Sequence, residues 1–168
     1  MNPQDAPGDA APDIDSPAGW QAAVVWGVDA AMARGARRIT CVDPGFESWP
    51  LDDPAFLLRL TAWLRLPQRR LVLLARHYDA VPRWLPRFTA WRRDFAHAIE
   101  AWQAPPEMSQ DLPALLLDDG PISVHLIDRL RWRGRTAVDQ RTAMLWRERI
   151  DVVLQRSEPG FGVSALGL

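Results

Sequence analysis

Histidine, aspartate and arginine carry what chemistry this sequence could perform, and two places bring them together. The first is Arg76-His77-Tyr78-Asp79, which follows the apolar run at residues 71–75. That run has the length and bulk of a strand buried on both faces, and open α/β sheets bind ligands just past the carboxyl ends of such strands. Asp43 follows an earlier run, residues 39–42, and would stand beside His77 if the two strands are neighbours. With Arg83 and Arg87 close behind, such a group could grip phosphate or carboxylate, because a guanidinium fork matches two oxygens at once. The second place is His125, inside the run at 122–127. A plainer reading of the first place is preferred, in which His77 and Tyr78 end a strand and Arg76 pairs with Asp79. No catalytic residue is assigned.

Several chemistries are excluded by composition. All 20 Lys-or-Arg positions are arginine, so Schiff-base chemistry and a P-loop lysine are out of reach. A GC-rich genome explains the missing lysine, and the exclusion holds whatever its cause. His77, His97 and His125 lack metal-ligand spacing, no G-x-S-x-G or G-x-G-x-x-G pattern occurs, and no cofactor is expected. Asp118-Asp119-Gly120-Pro121 reads as a turn, not a metal pair. Cys41, the single cysteine, excludes an internal disulfide and reads as a small buried filler. No run approaches a membrane span and no secretory pattern opens the chain, so the expected location is the bacterial cytoplasm.

Charge is uneven although the net value is −1. Eight arginines face one acid, Asp79, between residues 65 and 93, and a second excess runs from Arg129 to Arg149. Arg129, Arg131, Arg133 and Arg135 alternate as one face of a strand would, most simply a face turned to water. The interleaving of arginines with aromatics from Arg83 to Arg93 could bind nucleic acid. Its helical spacing instead puts the rings on a core face, and nucleic acid is set aside as a partner.

The elements that must position these groups are readable from pattern. Residues 1–17, acidic and rich in Pro, Ala and Gly, are expected to be a disordered tail before a single α/β domain at 18–168. Ser16 and Pro17 open a helix that Gly35 ends. Strand 39–42, a helix capped by Asp52 or Asp53, and strand 71–75 follow. Trp84, Phe88, Trp91, Phe95 and Trp102 recur at helical steps and predict a third helix turned onto the sheet. Residues 104–113 read as a linker, 114–117 and 122–127 as a hairpin, and 130–138 as further short strands about Gly134. Asp139 caps a closing helix at 140–155, and the remaining tail is irregular. The fold class is α/β: a three-layer-like mixed sheet, parallel βαβα first, then antiparallel strands and a C-terminal helix.

This order, with Trp49-Pro50-Leu51-Asp52-Asp53, Arg70 to Leu74, Trp146 and the ending Arg156-Ser157-Glu158-Pro159, resembles half of the phospholipase D-like superfamily. It is similar in particular to a proteobacterial domain there that is sometimes attached to acetyltransferases. The likeness spans residues 38–168. Active members use a His-x-Lys-x(4)-Asp motif; at His125 this chain has Ile127 in the lysine position and Trp132 in the aspartate position. The resemblance therefore implies lost chemistry and, as in half-sized members, a homodimer. The function expected is a non-catalytic binding or interaction module for an anionic ligand or an acidic protein partner. Its ligand residues would be Asp43, Arg76, His77, Arg83, Arg87 and His125. A degenerate His/Arg phosphodiesterase is the alternative, and a nucleic-acid-binding protein the second alternative.

Overall fold

Capping chemistry starts each long helix where the sequence predicts. In the computed structural model, which describes residues 10–161, the hydroxyl of Ser16 accepts the Gly19 N–H at 3.0 Å and Pro17 takes the first position of α1 (Pro17–Ala33). Gly35 supplies the left-handed residue, φ 73°, after its end. Asp53 caps α2 (Pro54–Leu64) and Asp139 caps α6 (Gln140–Gln155). Asp52, the other candidate cap for α2, instead accepts the Arg87 and Phe88 N–H groups at 2.7 and 3.1 Å, and so caps α4 (Pro86–Asp94) from a distance. The expected disordered tail lies in part outside the described residues; Ile14, within it, is buried against Gly134.

Seven strands form one mixed sheet in the order β6-β5-β4-β1-β2-β3-β7. β1 (Arg38–Val42), β2 (Arg70–Ala75) and β3 (Ile99–Gln103) are parallel. β4 (Ala114–Asp118) runs antiparallel to β1, and β5 (Ile122–Asp128) and β6 (Arg133–Val138) continue the antiparallel side. The predicted hairpin between β4 and β5 is present. Asp118 makes its turn by accepting the Gly120 and Ile122 N–H groups, both at 2.9 Å, while Arg147 donates to the Asp118 and Gly120 carbonyls. A mixed α/β class is thus correct.

Alternation along the strands sends side chains into two cores. On one face Ile39, Cys41, Leu71, Leu73, Leu116 and Val124 meet α1, α2 and α4. Gly27 lets α1 approach closely, since a Cβ there would lie 2.8 Å from Val124. Trp63 anchors α2 by donating to the Ala36 carbonyl at 2.8 Å, and Trp91 ties α4 to α2 through the Thr61 hydroxyl at 2.8 Å. On the other face Val42, Leu74, Leu115 and Leu117 meet Ile150, Val153 and Leu154 of α6.

The expected third helix is corrected. Its span holds two short helices, α3 (Val81–Trp84) and α4, then strand β3, with Trp102 packed on the opposite face of the sheet from Phe88. The linker contains a single helical turn, α5 (Pro106–Ser109). The expected pair of strands about Gly134 is one strand, β6. The irregular tail pairs as β7 (Glu158–Pro159) with β3.

Candidate functional site

The carboxyl ends of β1 and β2 on the α1 side are filled by aromatic rings. Trp20 meets Trp49 at 5.3 Å, Trp49 meets Phe46, Phe46 stacks on Tyr78, and Tyr78 meets Phe161 at 5.1 Å. Burial holds the Tyr78 hydroxyl far above the usual phenol range, so it stays protonated and donates to the Trp102 carbonyl at 2.8 Å. Burial likewise keeps Cys41 a neutral thiol, unsuited to nucleophilic attack.

This filling leaves little room for the first predicted anion site. Arg76 and His77 are exposed, and their backbone N–H groups both point to the Pro44 carbonyl. Asp43 is buried: Oδ2 accepts the Gly45 and Phe46 N–H groups at 2.9 and 2.7 Å, and Oδ1 meets Arg129 at 3.1 Å. Its carboxylate is spent on folding this loop. Arg83 lies over the neighbouring Trp84 ring at 5.7 Å, and Arg87 meets Asp52 at 3.9 Å. No ion pair joins Arg76 to Asp79, so the plainer pairing is absent too. Arg83 and Arg87 are engaged on the α4 side, and Asp43 is linked through Arg129 to the surroundings of His125.

His125 sits elsewhere and in different company. It is half-buried on β5, opposite Arg135 of β6 in the register, with the Trp146 ring of α6 edge-on to it at 4.6 Å. Arg149, one turn further along α6, lies over Trp146 at 5.2 Å. Burial first, and then the positive fields of Arg149, Arg129 and Arg135, hold the imidazole below its ordinary pKa. Arg135 opposite in the register, Arg149 over the Trp146 ring that meets His125, and Arg129 after β5 thus bring positive charge near one histidine from three elements: the edge strand, α6 and the loop after β5. Of the three, Arg129 alone has a carboxylate partner, Asp43. Arg133 stands two residues from Arg135 and shares its side of β6, exposed like it.

The expected ribbon of four alternating arginines is corrected at its start. Arg129 and Arg131 belong to the loop, where Asp128 accepts the Leu130 and Arg131 N–H groups, and a bulge between Leu126 and Asp128 shifts the register. Only Arg133 and Arg135 are on the strand. The reason given for setting nucleic acid aside, a flank of arginines on a core helix, applied to α4. The dense positive field lies across the molecule, on β5, β6 and α6. Sequence reasoning missed Arg149 and the grouping; the arginine excess from Arg129 to Arg149 was the available signal.

Such a cluster can hold oxygen anions bidentately and offers no nucleophile paired with a base. Among the described residues, no His/Cys/Asp/Glu group could hold a metal ion, and no helix is long and apolar enough to cross a membrane.

No protein-family model and no curated protein matches the chain. A solved structure with a similar fold is that of TrmBL2, an archaeal chromatin protein described as showing a novel mode of DNA binding. The TM-score is 0.51 at 15% sequence identity, covering 79% of this chain and 51% of that one. The chain thus spans about half the length of that neighbour, and the likeness is one of fold.

Proposed function

We propose that this chain is a nucleic-acid-binding domain that holds phosphate oxygens on the face built by β5, β6 and α6. The observation that carries the reading is the placement of Arg135 opposite half-buried His125 and of Arg149 over the Trp146 ring that His125 meets, with Arg129 also acting on the imidazole and Arg133 beside Arg135 on β6. Guanidinium groups gathered from separate elements repel one another, and an anion relieves that repulsion. The fold shared with a chromatin protein that binds DNA supports the same reading and overturns the earlier order of preference. That order put an anionic small ligand or an acidic protein partner first and nucleic acid last. The expected homodimer has no comparable support.

The mixed sheet is compatible with half of a phospholipase D-like fold, and in that frame His125 keeps the histidine position. Ile127 and Trp132 stand where the lysine and aspartate would be, so the ring would help to bind a phosphate and not attack it.

Binding of labelled DNA, followed by anisotropy against salt concentration, tests the proposal. Each phosphate contact contributes a slope of about −0.9 in log K against log salt on a duplex. Three or four arginine contacts therefore give roughly −3 to −4. The double substitution Arg135→Ala/Arg149→Ala should flatten the slope by about 2 and weaken binding at least tenfold at low salt. Surface positions of this kind leave folding stability within about 0.5 kcal/mol. Tight binding with an unchanged slope in the double variant would place the interface elsewhere; absence of binding would end the proposal.

A further inference from the structure

We infer that the nucleic acid taken by this face is a double helix held by its phosphates, and not a single strand read by base stacking; the inference rests on the nucleic-acid reading above. Proteins that bind single strands pair a basic groove with aromatic rings left open for bases. This face has the charge without the open ring. Trp146, the aromatic side chain at its centre, is only partly exposed, with His125 against it at 4.6 Å and Arg149 over it at 5.2 Å. Trp132, beside the hairpin, is turned inward and packs against the core that includes Ile14. The described aromatic ring with the greatest exposure, Trp84 at 53%, is on α3 among the elements of the opposite face and carries Arg83 over it.

The arrangement of charge fits a rigid, regularly charged backbone. The strand sets the backbone of Arg133 and Arg135 and the helix that of Arg149, while Asp43 holds the Arg129 guanidinium, so these charges are rooted at set positions before any ligand arrives. A duplex presents phosphates at fixed spacing, which long arginine side chains rooted at set positions can reach. β5, β6 and the loop between them hold no Asn or Gln, side chains suited to bidentate contact with adenine, and Gln140 and Gln155 stand at the two ends of α6. The arginines, which could also meet guanine, are assigned here to phosphates, whose contacts carry no sequence information. Binding should therefore be indifferent to sequence.

The experiment uses the full chain and labelled oligonucleotides of about 20 base pairs or nucleotides at about 50 mM salt. Three duplexes of unrelated sequence should bind within about twofold of one another, and at least about tenfold more tightly than oligo-dT or a mixed single strand. Oligo-dT binding as tightly as duplex would overturn the inference, as would a spread of more than about tenfold among the duplexes. Trp84→Ala should leave the single-strand affinity unchanged; a drop would mean that bases stack on that ring, and would also overturn it. If neither form binds, the nucleic-acid reading itself fails, which the binding-with-wrong-preference outcomes leave standing.

Discussion

At the carboxyl ends of β1 and β2, the space beside the sheet is taken by Trp49, Phe46, Tyr78 and Phe161 in edge and stacked contacts. Even the indole N–H groups of Trp20 and Trp49 are buried there without a hydrogen-bond acceptor among the described residues. Across the sheet, at β5, β6 and α6, a half-buried histidine faces Arg135 in the register and feels the positive fields of Arg149, Arg129 and Arg135. The first region resembles the place where parallel sheets bind ligands, yet its rings have closed it. The second has no such reputation, yet among the described residues Arg133, Arg135 and Arg149 stand there without an ion-pair partner. Position in a fold raises an expectation; what fills the position decides it.

The comparison breaks most sharply under truncation of a ring on the aromatic side. Phe88 is 1% exposed and touches Trp91 and Phe161. Phe88→Ala should cost about 3–5 kcal/mol through lost burial and the cavity left behind. Chemical denaturation would measure it, and the folded fraction should bind DNA as tightly as the parent. A large change in affinity would mean that the two regions are not separate.

Asp43 joins the regions and should show opposite signs in the two measurements. Asp43→Ala removes the acceptor of one buried and one part-buried N–H group and the partner of Arg129. The Arg129 side chain is 43% exposed and can turn to solvent, so the cost is set mainly by the orphaned N–H groups, about 2–3 kcal/mol. The same change frees Arg129, and DNA affinity at low salt should rise about threefold or more. A fall in affinity in properly folded protein would show that Arg129 needs the carboxylate to hold it in place.

Asp52 belongs wholly to the aromatic side. It caps α4 through the Arg87 and Phe88 N–H groups, and Asp52→Ala should destabilise by about 1 kcal/mol. Its effect on the salt slope should be nil, although Arg87 loses its partner, because Arg87 is on the wrong side of the molecule. A steeper slope in Asp52→Ala would draw Arg87 into the interface.

The sequence was legible where local chemistry decides structure. Ser16-Pro17, Asp139 and the Asp118-to-Pro121 turn each satisfy backbone groups within a few residues, and all lie where predicted. β3 was not legible: Phe95, Ile99 and Trp102 keep helical spacing, and no Gly or Pro separates α4 from the strand. Its alternation, Ile99 and Ala101 on one face and Trp102 on the other, spans too few residues to outweigh that spacing. Of the two candidate caps for α2, Asp53 takes the place, and the role of Asp52 at α4 was not legible because its partners are more than thirty residues away. The candidate site suffered most. Arg129, Arg135 and Arg149 share the surroundings of His125 because a bulged hairpin and a helix packed on the sheet place them there, and nothing in their spacing encodes that.

The finest test of the contrast is the proton on His125. Burial and the three guanidinium groups hold its pKa below the ordinary imidazole value near 6.5. An unfolded chain therefore takes up the proton first as pH falls. The stability contributed by the neutral ring is full above about pH 6.5, and declines from there down to the lower value in the folded protein. Below that value it is constant. Denaturation midpoints of the parent should show this decline, and His125→Gln should show less of it. Binding should carry the opposite sign: a phosphate beside the ring offsets the arginine fields, raises the pKa and draws in a proton, so affinity strengthens as pH falls through the same window. On the aromatic side Tyr78 and Cys41 are both held neutral by burial. If His125→Gln leaves the pH dependence of DNA binding intact, the imidazole is outside the interface, and the phosphates lie on the outer arginines alone.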